Sequence, residues 1–186
     1  MDFNSTLRTA EQGLPILKKL AEYPQVDIYE SPIPQGDVEG NRRIVDATHV
    51  KVAMHYGSPS PKTVVRSGCC DGFVVGGGLS EIRRQAGLAA AFNKPFWLQM
   101  VGAGLTTAYA VHLGAVLAHA QLPNITAHEL WEHDLLQNGL EVKDGYIAVP
   151  ETPGLGVEVD EDRMQHYHEA YRRDGQFLPY LIETDC

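Results

Sequence analysis

The chain has little of what builds disulfide frameworks or nucleic-acid surfaces. Three cysteines occur among 186 residues, the adjacent pair Cys69 and Cys70 and the last residue, Cys186. Adjacent cysteines rarely bridge each other, an odd count makes a poor framework, and no CxxC pair occurs. A reducing, cytoplasmic setting is therefore expected. Cations are few: 15 Lys and Arg stand against 24 Asp and Glu, a formal net charge of −9. Phosphate-backbone binding wants clustered Lys and Arg, so no nucleic-acid partner is expected. No apolar run reaches bilayer length, and the Ala-rich stretch 106–120 is broken by Tyr109, His112 and His119, so no membrane partner is expected either. The N-terminus carries Asp2, Asn4 and Arg8 where a secretory leader would be apolar. HExxH is absent, and Gly76-Gly77-Gly78 lacks both the Lys-Ser/Thr of a P-loop and the GxGxxG spacing. There is no sequence repeat and no low-complexity segment.

What is there alternates. Residues 26–30 (VDIYE), 50–54, 71–75, 95–101 (PFWLQMV) and 125–130 read as short, largely apolar strands, and residues 1–4 as a strand stub. Helices are expected between them: 13–23 with Pro15 in its first turn, 38–47, one opened by Ser60-Pro61 and running to Ser67, 80–92 ended by Asn93, and 106–120. Leu14, Leu17, Leu20 and Ala21 would be the buried stripe of the first helix. Residues 140–149 alternate around Asp144-Gly145, a hairpin signal. A Gly- and Pro-rich loop follows, and Asp160 caps a last helix to about Arg173, on which Tyr167, His168 and Tyr171 read as a packing stripe. Strand–helix units in series mean a parallel sheet, either a (β/α)8 barrel or a doubly wound sheet. Glu30, His55, Tyr56, Gln99 and Glu129 all fall near C-terminal strand ends, where both folds place their active sites.

The order of motifs separates the two folds. Asp2-Phe3-Asn4 followed by Glu30-Ser31-Pro32 resembles the DxN and ExP pair of the mandelate racemase and muconate lactonizing branch of the enolase superfamily. Gly77-Gly78 before a helix, and the tail Asp144-Gly145-Tyr146, Val149-Pro150, Pro153 to Val157 and Asp160, are similar to that family's later signatures. The resemblance covers nearly the whole chain. It implies an α/β fold, an incomplete (β/α)8 TIM-type barrel of about the third to eighth strands over residues 1–139. A C-terminal hairpin, loop and helix would occupy residues 140–186. It also implies that the capping domain and the first strands, with their catalytic Lys, are absent, so the chain alone should be inactive. The implied chemistry is removal of a proton next to a carboxylate, as in a racemase, dehydratase or cycloisomerase. The substrate is then a small-molecule carboxylate such as a sugar acid, and Mg²⁺, or Mn²⁺ in its place, stabilises the negative charge that develops. Asp2 and Glu30 would hold the ion through hard oxygen donors.

The sequence departs from the pattern at two places. Where the resemblance puts a third carboxylate this chain has Ala53-Met54-His55-Tyr56-Gly57, with Tyr56 at the expected position and His55 beside it. His55 is then a replacement ligand, a substrate-facing residue, or a mark of a decayed metal site. Where one branch of the family has a His, this chain has Gln99, which cannot take a proton and would orient substrate by hydrogen bonds. At the eighth strand Glu129 or Glu132 would face the mouth and hydrogen-bond the reacting species, or stand there as a solvated strand-end acid. His112 and His119 share a helix face and read as packing residues. The non-enzymatic alternative is an inactive barrel fragment or interaction module, and open sheet edges leave a homo-oligomer open as well. A third reading puts phosphate on the backbone of Gly76 to Gly78.

Overall fold

The computed structural model describes residues 1–176. Its elements alternate as α1 (Ala10–Leu20), β1 (Ile28–Glu30), α2 (Val38–Ala47), β2 (Lys51–His55), α3 (Pro61–Ser67), β3 (Gly72–Val75), α4 (Leu79–Ala91), β4 (Phe96–Leu98), α5 (Gly104–Val116) and α6 (Glu161–Asp174). A single 3-10 turn, His128–Leu130, precedes α6. The chain divides into two compact units: Met1–Met100 with Leu113–Thr126, and Val101–His112 with Ala127–Cys186.

In the first unit, β1 to β4 form one parallel sheet in sequence order. Two isolated parallel bridges, Asp2 to Glu30 and Gln99 to Ile125, extend it at either side. The stub at the N-terminus is real: Glu30 N–H donates to Met1 O at 2.7 Å and Phe3 N–H to Glu30 O at 3.0 Å. With the helices between strands, this is the incomplete TIM-type barrel expected. The period-2 rule sorts the strand residues onto two faces. Tyr29, Val52, Met54, Phe73, Val75, Phe96 and Leu98 are wholly buried and form the helix-facing side, where Tyr29 Oη donates to Leu17 O in α1 at 2.7 Å. Ala53, Val74 and Trp97 cluster on the opposite, inner side with Ile28 and Leu122.

Local chemistry explains most boundaries. Asp37 caps α2 by accepting from Gly40 N–H at 2.8 Å, and Ser60 caps α3 ahead of Pro61 in its first turn. Asn93, with φ +51°, takes the left-handed turn beyond α4. The first helix starts earlier than expected because Thr9, not the Pro15 region, is its N-cap: Thr9 Oγ1 accepts from Gln12 N–H at 3.4 Å. Pro15 lies inside α1 on its exposed side, where the Glu11 carbonyl it leaves unpaired within the helix can meet solvent. The buried stripe is accordingly Ala10, Gly13 and Leu17.

Two further expectations change. Residues 125–130 do not form a strand: Ile125 makes one bridge, then Ala127 turns left-handed at φ +56° and His128–Leu130 coil into the 3-10 turn. Ala, His, Glu and Leu have none of the β-branching that holds an extended chain. The expected hairpin shrinks to one antiparallel bridge, Lys143 to Tyr146, around Asp144 (φ +51°) and Gly145 (φ +81°). The turn forms as its sequence dictates, but residues 141–146 are all exposed, and with no face to bury the ladder goes no further. Asp160 caps α6, accepting from Arg163 N–H at 2.9 Å, yet no residue of α6 is buried, so the Tyr167, His168 and Tyr171 stripe does not pack. Cys69 and Cys70 are buried and free, and burial pushes the Cys70 thiol up to about 12. Cys186 lies outside the described residues.

Candidate active site

The C-terminal end of the sheet gathers most of the residues singled out from the sequence. Parallel register puts Glu30 beside Ala53, Ala53 beside Gly72, His55 beside Val74 and Val74 beside Trp97. Alternation then places Glu30, His55 and Gln99 on the inner face, with Asp2 bridged to Glu30 from the stub. Tyr56 falls on the other side, its ring edge-on to Phe73 at 5.3 Å. The residue at the family's third-carboxylate position therefore packs towards the helices, and His55 is the inner-facing neighbour.

Glu30 is the buried charge of the site, 4% exposed. Burial raises its carboxyl pKa above the ordinary glutamate value, and the nearby Asp2 carboxylate adds to the rise; His55 opposes it. His55 Nε2 lies 3.0 Å from Glu30 Oε1. The approach is off-line for a hydrogen bond, so Oε1 has no hydrogen-bond partner among the described residues. Asp2 is exposed and held by its own turn: Oδ1 accepts from Asn4 N–H and Oδ2 from Asn4 Nδ2, both at 2.8 Å. The Asn of the DxN motif thus orients the Asp.

The donor set can be tested against a divalent cation. Two carboxylates at register-paired strand positions repel each other, and the buried Oε1 of Glu30 has no hydrogen bond among the described residues. Hard oxygen donors in that arrangement fit Mg²⁺ or Mn²⁺ as a pair. They do not extend to a triad, because among the described residues no three His, Cys, Asp or Glu side chains stand together as a metal-binding group. His55 faces Glu30 itself, and its imidazole is 54% exposed.

One positioning residue escaped the sequence reading. Gln35 Oε1 accepts from Ser31 Oγ and from His55 N–H, both at 2.8 Å, while its Nε2 donates to Ser58 O. This side chain ties the loop after β1 to the loop after β2 and fixes where His55 leaves the strand. No motif announces a Gln in a Pro-Gln-Gly turn.

Gln99 sits at the end of β4, half-buried, with Oε1 buried and unpartnered among the described residues. Glu129 lies in the 3-10 turn of the second unit, exposed, and not at a strand end as expected. His112 and His119 do not share a helix face, because α5 ends at Val116; His112 Nε2 lies 3.1 Å from Leu155 O and His119 Nε2 3.2 Å from Asn93 Oδ1. At the glycine run, a Cβ on Gly77 would fall 2.5 Å from Glu81 Oε2. A carboxylate already occupies that helix entrance, which opposes phosphate there.

Comparison with known proteins agrees with this architecture. Residues 1–163 match the enolase C-terminal domain-like family. The chain is 28% identical over 165 residues to the N-succinylamino acid racemase of Thermus thermophilus, covering 84% of this chain and 44% of that protein. It is 24% identical over 172 residues to the D-xylonate dehydratase of Haloferax volcanii, covering 87% and 41%. Among solved structures, an enolase from Thermobispora bispora complexed with magnesium and formate superposes with a TM-score of 0.78 at 26% identity, covering 94% of this chain and 43% of that one. A mandelate racemase/muconate lactonizing family protein from Azoarcus sp. EbN1 gives 0.75 at 26% identity, covering 89% and 48%. The chain spans less than half the length of these relatives. With its parallel half-barrel, its DxN and ExP strand ends and this match, the chain belongs to the enolase C-terminal domain-like family, in the branch of mandelate racemase and muconate lactonizing enzymes.

Proposed function

We propose that this chain supplies the cation- and carboxylate-binding part of a lyase or isomerase that removes the proton next to a substrate carboxylate. One observation carries the reading. Glu30 is a buried carboxylate at a strand end, raised by burial and by Asp2, whose buried Oε1 meets only the half-exposed imidazole of His55 among the described residues. Two carboxylates kept side by side at a barrel mouth are costly unless something positive joins them.

Asp2 and Glu30 would hold a divalent ion of the Mg²⁺ type. That ion, when bound, supplies charge stabilisation to the substrate carboxylate as the adjacent proton leaves. The chain's own residues position the groups around that ion. Asn4 fixes Asp2 through two hydrogen bonds. Gln35 fixes the backbone of His55, whose imidazole contacts Glu30 and lowers the cost of ionising it. Gln99 cannot exchange a proton and acts through hydrogen bonds to substrate. One relative is a racemase and another a dehydratase, which supports the class but not the choice between them.

The non-enzymatic reading has one observation in its favour. Tyr56 stands where the family has its third carboxylate, and its ring is packed on Phe73. The test is propionate binding to the full chain by calorimetry, with and without Mg²⁺. Saturable binding that needs Mg²⁺ and is lost in Glu30→Ala is the expected result. Binding that ignores both Mg²⁺ and the substitution would contradict the proposal.

A further inference from the structure

The inner face of β4 carries a second set of unmatched polar atoms, apart from the carboxylates. Trp97 is 3% exposed, and its Nε1 is buried with no partner among the described residues. Two positions on, the buried Oε1 of Gln99 is unpartnered in the same sense. Alternation puts both side chains on one face of the strand, about 7 Å apart along it.

Their surroundings explain why the protein supplies no partner. Trp97 is registered with Val74 and packed with Ala53, Ile28 and Leu122, all apolar. Gln99 bridges to Ile125 on one side. On the other side stands Gly76, where a Cβ would fall 2.8 Å from the Gln99 carbonyl oxygen, so β3 contributes no side chain there. Buried polar groups are nearly always satisfied, and an indole in a purely structural role could be replaced by Phe without an idle N–H. A lone donor and a lone acceptor in an apolar wall are complementary to a group that both accepts and donates. A hydroxyl is that group.

We propose that Trp97 and Gln99 are specificity-determining residues that recognise a hydroxyl-bearing stretch of the substrate. The indole N–H donates to hydroxyl oxygen, and the Gln99 carboxamide oxygen accepts from a hydroxyl proton. The inference rests on the carboxylate-substrate reading above and adds the chemistry of the part remote from the carboxylate. Sites built to hydrogen-bond a hydroxyl discriminate strongly against analogues lacking it, because their own buried groups are then left unpaired.

The test uses fluorescence and calorimetry on the full chain with Mg²⁺ present. Trp97 and Trp131 are its two tryptophans, so Trp131→Phe leaves Trp97 as the sole indole reporter. D-gluconate and hexanoate are the probes: both have six carbons and a carboxylate, and gluconate alone has hydroxyls. Gluconate should shift the Trp97 emission saturably and hexanoate should not. Trp97→Phe and, separately, Gln99→Met should each weaken gluconate binding about ten-fold, the loss of one good hydrogen bond, and Trp97→Phe should leave hexanoate binding unchanged. Gluconate binding that is equal in the parent and in both variants would overturn the proposal while the carboxylate reading stood. So would a Trp97 emission unmoved by saturating gluconate, as a water held permanently on the indole would give. Failure of both acids to bind at all would overturn the proposal together with the reading beneath it.

Discussion

The two faces of the parallel sheet are made of the same strands and have opposite characters. The helix-facing side, Tyr29, Val52, Met54, Phe73, Val75, Phe96 and Leu98, is wholly buried, and its one side-chain hydroxyl is satisfied at Leu17 O. The inner side begins apolar at Ile28, Ala53, Val74 and Trp97, then ends in Glu30, His55 and Gln99. Three of the five buried unpartnered side-chain atoms among the described residues, on Glu30, Trp97 and Gln99, belong to this inner side. Stability is concentrated on one face and unmet hydrogen-bonding capacity on the other. Fold and function are thus separated by a period of two along each strand.

The sharpest way to break this comparison is to exchange the signs of mutations across the sheet. Phe73→Ala on the helix-facing side should cost about 3–5 kcal/mol of unfolding free energy, measured by urea denaturation, because a fully buried ring leaves a cavity. It should also free Tyr56, whose ring rests on Phe73. Glu30→Gln on the inner side should do the reverse and raise the Tm at pH 7 in metal-free buffer. The sign follows from linkage. Burial and Asp2 raise the native-state pKa of Glu30 above its ordinary value. The native state therefore holds that proton more tightly than the unfolded state, and Glu30's contribution falls as pH rises from the ordinary glutamate pKa through the raised one. Above that window Glu30 is ionised at a cost that the amide avoids. Below it the wild-type group is neutral in both states, so the difference between the two proteins should shrink as the pH is lowered, as a series of thermal melts will show. An equal gain at every pH would contradict the assignment of Glu30 as a strained buried charge. Gln35→Ala should have the smallest effect, about 1 kcal/mol from lost hydrogen bonds in urea denaturation. It should nevertheless change the environment of His55, readable as an altered imidazole NMR shift, since His55 N–H donates to Gln35 Oε1. An unchanged shift would remove Gln35 from the site.

Much of the fold was legible because local signals agreed with burial. The second helix was placed at 38–47 and observed as Val38–Ala47, and Ser60-Pro61 and Asp160 cap helices as their side chains dictate. The parallel sheet followed from the strand–helix alternation, and its sequential strand order from the motifs' resemblance to a barrel family. What failed were places where one residue's backbone decided the outcome: Thr9 taking the cap ahead of Pro15, and Ala127 turning left-handed after Ile125. No composition or period marks those. At the site, Asp2, Glu30, His55 and Gln99 share the inner face, whereas Tyr56, equally near a strand end, lies on the other. Trp97 was within reach of the same reasoning, since it precedes Gln99 by one strand period, but an indole in an apolar run looks like core until its N–H is seen to lack an acceptor. Gln35 carried no signal, because its role depends on two loops meeting. Glu129 was misplaced by the assumption of a strand that the local residues do not support.

The central claim is that the unsatisfied Glu30 and its neighbour Asp2 are kept for a cation. The most direct measurement is calorimetric titration of Mg²⁺, and then Mn²⁺, into the full chain and into Glu30→Ala. The account predicts saturable, single-site binding to the chain and none to the variant. Equal heats in both proteins, or no binding in either, would contradict it.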